Sequence, residues 1–81
     1  MQLDSLRQSY DKALSRLASI LGLEYGEIQR FIGDLADAAW GAQRMKELFK
    51  APDVQEQLDS ILKISEEYRC LVGLQSDAAC R

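Results

Sequence analysis

Histidine is absent from this chain, and so is any long apolar run. Without imidazole there is no ready base to activate a serine or cysteine, and nothing in the sequence replaces it. No phosphate-binding loop is present. Cys70 and Cys80 are the only cysteines, and two of them without histidine cannot complete a structural zinc site. No stretch approaches the roughly 20 apolar residues that a membrane-spanning helix needs. The N-terminus carries Asp4 and Arg7 inside an amphipathic pattern, which does not read as a signal peptide. Proline occurs once, at position 52. Positive charge is in deficit: the net charge is -3, which argues against nucleic acid or an anionic membrane as the main partner.

What the chain has is helical periodicity. The 81 residues are 47% hydrophobic, too apolar for disorder at so small a net charge. They suit one domain, residues 1–81, with one small core. Such a core stabilises by only a few kcal/mol, and oligomerisation is a common supplement. In the first third, Leu3, Leu6, Tyr10, Ala13, Leu17 and Ile20 recur in steps of three and four. That spacing holds them on one side of an α-helix of 3.6 residues per turn.

The first helix is expected over about 3–21, closed by Gly22 as the left-handed residue past its end. A second is expected over about 24–50. Its acids lie early (Glu24, Glu27, Asp34, Asp37) and its bases late (Arg44, Lys46, Lys50), the order that complements the helix dipole. Pro52 stops it, because the residue before a proline is pushed out of the helical region. Proline also suits the first turn of a third helix, expected over about 53–73. The apolar set of that helix is Val54, Leu58, Ile61, Leu62, Ile64, Tyr68, Leu71 and Val72, and Asp59 and Lys63 form a favourable pair four residues apart. Residues 75–81 read as a polar tail. Broad stripes on three helices with short loops give an all-α antiparallel three-helix bundle, or a helical hairpin plus a third helix, which dimerisation could complete.

Cys70 and Cys80 read as reduced thiols of a cytoplasmic protein. On a continuous helix they would stand about 15 Å apart, and a disulfide would need a bend such as Gly73 could supply.

Two constellations are candidates for function. Gly26, Gly33 and Trp40 form a heptad on one face of the expected second helix, beside its main apolar stripe. Each interior glycine costs roughly 1 kcal/mol relative to alanine, so a close-packed neighbour is expected there. That neighbour is either the third helix or a partner anchored by Trp40, a residue type enriched at binding hot spots; otherwise Gly26 is simply part of a loose helix start. Leu48 also falls off the main stripe and joins this face.

The other constellation is Ala18, Gly22, Leu23, Ile28 and Phe31, inside residues 14–32. A small residue, a glycine four on and apolar residues at about +10 and +13 resemble the helix-turn-helix of DNA readers. The resemblance implies that Gln29 and Arg30 would face base edges. Glu24, Glu27, Asp34 and Asp37 would crowd the same region, with Arg7, Lys12 and Arg16 as thin compensation. Trp40-Gly41 resembles the WxG turn of small secreted helical hairpins, but Ala42 stands where its glycine would be.

Pairs such as Asp34 and Asp37, or Glu66 and Glu67, sit in patterns of solvated helix faces. The tyrosines Tyr10, Tyr25 and Tyr68 read as core-edge residues. The expectation is a non-enzymatic helical module acting by protein contact, as a regulator, adaptor or chaperone-like subunit. Its partner is another protein, a second copy or both. No cofactor, metal, membrane or small-molecule substrate is expected. The alternative is a helix-turn-helix transcription regulator, with nucleic acid as its partner.

Overall fold

Among the described residues four helices, not three, make up the bundle: α1 (Gln2–Leu21), α2 (Tyr25–Ile32), α3 (Ala38–Leu48) and α4 (Pro52–Leu71). The structure is a computed structural model that describes residues 2–73. The tail expected over 75–81 lies outside those residues. The helices pack in a ring: α1 on α2, α2 on α3, α3 on α4 and α4 back on α1.

α1 ends where its sequence says. Leu23 N–H donates to the Ala18 carbonyl (2.8 Å) and Gly22 N–H to the Ser19 carbonyl (3.3 Å). These two bonds satisfy carbonyls that the helix leaves open at its C-terminus, and Gly22 takes the positive φ (71°) that closes such a motif. At the next helix, Glu27 reaches back to accept the N–H of Glu24 (2.9 Å), one arm of a capping box.

The long second helix is corrected to two shorter ones. Gly33 breaks it with φ 93° and ψ -165°, a conformation that residues with a Cβ avoid. Residues 33–37 then run without helix and would leave backbone groups unpaired inside the fold. Side chains from α1 and α4 take up that pairing. The Tyr10 hydroxyl donates to the Gly33 carbonyl (2.5 Å). Ser65 Oγ donates to the Leu35 carbonyl (2.7 Å) and accepts the Ala39 N–H (3.2 Å). Arg69 Nη1 donates to the Ala36 carbonyl (3.1 Å).

The core joins Tyr10, Ala13, Leu14, Leu17 and Ala18 of α1 to Ile28, Ile32, Leu35, Ala38, Ala42 and Met45, and to Val54, Leu58 and Ile61 of α4. Leu3 and Ile20, the two ends of the expected α1 stripe, are exposed; Leu14 is buried in their place. Leu71 at the end of α4 and Val72 just past it are exposed, and Ser65 within the helix is buried. α4, which corresponds to the third helix expected from the sequence, ends at Leu71, not at 73.

The α3–α4 turn forms as the proline dictates. Ala51 is extended (φ -61°, ψ 136°) and Pro52 opens α4. Gln55 Nε2 donates to the carbonyls of Lys46 (2.8 Å) and Phe49 (2.6 Å), so α4 caps the C-terminus of α3. Asp59, expected to pair with Lys63, is instead bridged to Lys46 of α3.

Candidate functional site: the outer face of α3

Trp40, Arg44 and Leu48 are spaced by four along α3, so they form one stripe on that helix. The stripe faces solvent: Trp40 is 60% and Leu48 73% exposed. Phe31, near the end of α2, is 60% exposed as well. A groove of about 330 Å³ runs between α2 and α3, lined by Arg30, Phe31, Gly41, Arg44, Met45 and Leu48. Gly41 and Met45 are buried and form its floor; Arg30, Phe31, Arg44 and Leu48 are its exposed sides.

The groove owes its depth to Gly41. A Cβ there would stand 2.4 Å from the Ile32 carbonyl oxygen and 2.6 Å from the Ile32 Cα. Only a glycine lets α3 approach the end of α2 so closely. At the far end of the stripe, the Arg69 guanidinium sits 4.8 Å from the Trp40 ring centroid, which holds the indole by cation–π attraction. Arg69 is itself tied to the Ala36 carbonyl.

The four partner-binding residues expected from the sequence are separated by the break at Gly33. Trp40 and Leu48 share one exposed face. Gly26 lies on α2 with nothing within 4 Å of a Cβ built there, so no neighbour requires that glycine. Gly33 lies in the break, with only the Asp37 Cβ at 3.6 Å, and its need for glycine is conformational. The continuous Gly26–Gly33–Trp40 face is therefore corrected: these residues do not share a helix. Phe31, Gly41 and Arg44 were missed. Trp40-Gly41 was legible as a glycine inside a helix, but the close approach it permits depends on α2 ending at Ile32.

The helix-turn-helix residues are also dispersed. Ala18 and Ile28 are buried as that motif requires, but Phe31 is exposed and Ile32 is buried instead. Gln29 and Arg30 are exposed on α2. Arg30 borders the α3 groove, whereas Lys12 and Arg16 line a different hollow against Gln57, Ser60 and Ile64 of α4. Arg30 therefore shares no hollow with Lys12 and Arg16.

Of the carboxylate pair Asp34 and Asp37, Asp34 Oδ1 accepts the Asp37 N–H (3.3 Å), a turn contact. Tyr25 donates to Asp11 (2.8 Å). Burial, helped by nearby Tyr25, Asp34 and Asp11, pushes the Tyr10 phenol well above the usual tyrosine range. Tyr25 shifts the same way, through burial and then its bond to Asp11. Cys70 is disulfide-bonded, which corrects the expectation of a reduced thiol there; Cys80 lies outside the described residues.

No family model, no curated protein and no solved structure matches the chain.

Proposed function

We propose that the protein is a small non-enzymatic module that works by protein–protein contact through the outer face of α3. One observation carries this reading. Phe31, Trp40 and Leu48 are the most exposed of the large apolar residues described (60–73%, against 39–44% for Leu3, Ile20, Phe49, Leu71 and Val72), and they gather around one groove and stripe. Clustered exposed apolar groups in a small protein mark contact surfaces more often than chance. Trp40 adds an anchor already held in place by Arg69, which lowers the ordering cost of binding. Regulator, adaptor and chaperone-like subunit are all roles such a surface can serve, and its occupant is another protein or a second copy.

Helix-turn-helix DNA binding is the second reading. Ala18, Gly22 and Ile28 favour it; the exposure of Phe31 and the scatter of the bases weigh against it.

No helix among the described residues is long and apolar enough to cross a membrane. A cytoplasmic location was expected from reading both cysteines as thiols. A bonded Cys70 weighs against it, because cytosolic reductants keep thiols reduced.

The contact reading is tested with Leu48→Asp beside the unchanged protein. Sedimentation reports self-association, and fluorescence anisotropy reports binding of labelled amphipathic helical peptides. Leu48→Asp should abolish whichever association is seen while the melting temperature stays within a few degrees, since Leu48 lies outside the core. A protein that neither self-associates nor binds any peptide refutes the reading.

A further inference from the structure

The groove between α2 and α3 has a charge opposite to that of the molecule. The chain carries 13 carboxylates against 10 basic side chains. Yet the groove lining holds Arg30 and Arg44 and no carboxylate. Among the described residues the ion pair is Lys46–Asp59, so neither arginine is paired with an acid there. Neither donates a side-chain hydrogen bond among the described residues, unlike Arg69, which is committed to Ala36. Two uncommitted guanidiniums therefore stand beside an apolar slot formed by Phe31, Leu48 and the buried Met45. Guanidinium forks match carboxylates in geometry and charge.

We infer that this groove receives an acidic amphipathic helix of another protein. Its apolar side chains lie between Phe31 and Leu48, and carboxylates on its flanks meet Arg30 and Arg44. The inference rests on the contact-module reading and specifies the partner class.

Two arguments select this occupant. The groove walls are helices, whose backbone bonds are internal, so an extended peptide would find no open ladder to join; a helix satisfies its own backbone and needs only side-chain contacts. A second copy docked by a two-fold axis through the groove would bring Arg30 and Arg44 against their own counterparts, a like-charge contact. The rigid floor suits a preformed site: Gly41 is locked against Ile32, so the slot does not depend on a side chain moving aside.

The experiment uses three synthetic peptides with one apolar stripe at helical spacing and flanks of glutamate, glutamine or lysine. Binding is followed by anisotropy at low and physiological salt, with sedimentation of the protein alone in parallel. The glutamate peptide should bind at least about tenfold more tightly than the lysine peptide, and the margin should narrow as salt rises. The double variant Arg30→Glu, Arg44→Glu should reverse the preference. Both positions are exposed, and an unchanged circular dichroism spectrum confirms that the variant folds.

Equal binding of all three peptides overturns the acidic-helix proposal and leaves the contact reading standing. So does self-association that Leu48→Asp abolishes without any peptide binding, which would assign the groove to a second copy. A monomer that binds none of the peptides overturns both.

Discussion

A serine occupies a position in α4 where helical spacing would place an aliphatic side chain. Val54, Leu58, Ile61 and Ser65 follow one another at steps of four, three and four, and all are buried. The apolar pattern could not reveal Ser65, because its reason lies thirty residues upstream, in a stretch of backbone that is not helical. It holds both the Leu35 carbonyl and the Ala39 N–H. Ser65→Ala should therefore leave one buried and one part-buried backbone group unpaired and cost about 2–4 kcal/mol, about 1–3 kcal/mol for the buried carbonyl and less for the N–H. Urea unfolding checks this; a loss under half a kcal/mol would mean that water or relaxation serves both groups. Tyr10 makes the matching contact from α1, and its pKa is raised in the folded state. Below the ordinary tyrosine value of 10.0, both states keep the proton and the stabilisation is fully present. Above it the unfolded chain ionises first, so stability falls as pH rises. Tyr10→Phe should lower stability by about 1 kcal/mol at neutral pH through the lost bond to Gly33. It should also flatten the alkaline decline, though not abolish it, because Tyr25 shifts in the same direction. Unfolding midpoints at pH 8 and above pH 10 decide between the two slopes.

At the scale of elements, the boundaries written in local chemistry were legible and the one decided by tertiary contact was not. Gly22 closes α1 and Pro52 opens α4, each through its own backbone constraint. The break at Gly33 was invisible because residues 24–50 keep a helical distribution of apolar and charged groups across it. What ends α2 is the trio Tyr10, Ser65 and Arg69, all distant in sequence, which make an unwound stretch satisfiable. The candidate site inherited that limit: Trp40 and Leu48 were legible as residues off the core stripe, whereas Phe31 and Arg44 join them only once α2 and α3 are separate. Three glycines, all candidates for interior helix positions, should consequently respond in three ways to alanine. Gly26→Ala meets open space in a helix and should stabilise by about 0.5–1 kcal/mol. Gly33→Ala meets no clash but must hold φ 93°, and should cost about 1–3 kcal/mol. Gly41→Ala places a Cβ against the Ile32 backbone and should cost at least as much as the overpacking range of about 1–3 kcal/mol, with α2 and α3 forced apart. Thermal melts of the three variants test the order; equal effects would restore a continuous second helix.

Across the whole molecule, the ring of helices sorts charge by the neighbours each face is given. A bundle with extents of 35 × 24 × 19 Å has little room for a surface dedicated to a duplex while also keeping its acids away from it. Here Lys12 and Arg16 look along α1 toward α4, and Arg30 and Arg44 gather at the α2–α3 groove. Glu24 and Glu27 remain exposed on the helix entry that would have to approach phosphates. A DNA reader needs several bases aimed at one backbone, since each phosphate contact contributes through counterion release. Two arginines flanking an apolar slot suit a carboxylate-bearing helix better than a uniformly charged rod, because Phe31 and Leu48 would then have no apolar group to cover them. Binding to duplex DNA at physiological salt should accordingly be no tighter than ordinary non-specific association, weaker than about micromolar. Anisotropy of a labelled random-sequence duplex, titrated with protein at two salt concentrations, measures it. A tighter affinity that falls steeply with salt, and that Gln29→Ala and Arg30→Ala weaken while Leu48→Asp does not, would move the functional surface from the α3 groove to the exposed side of α2.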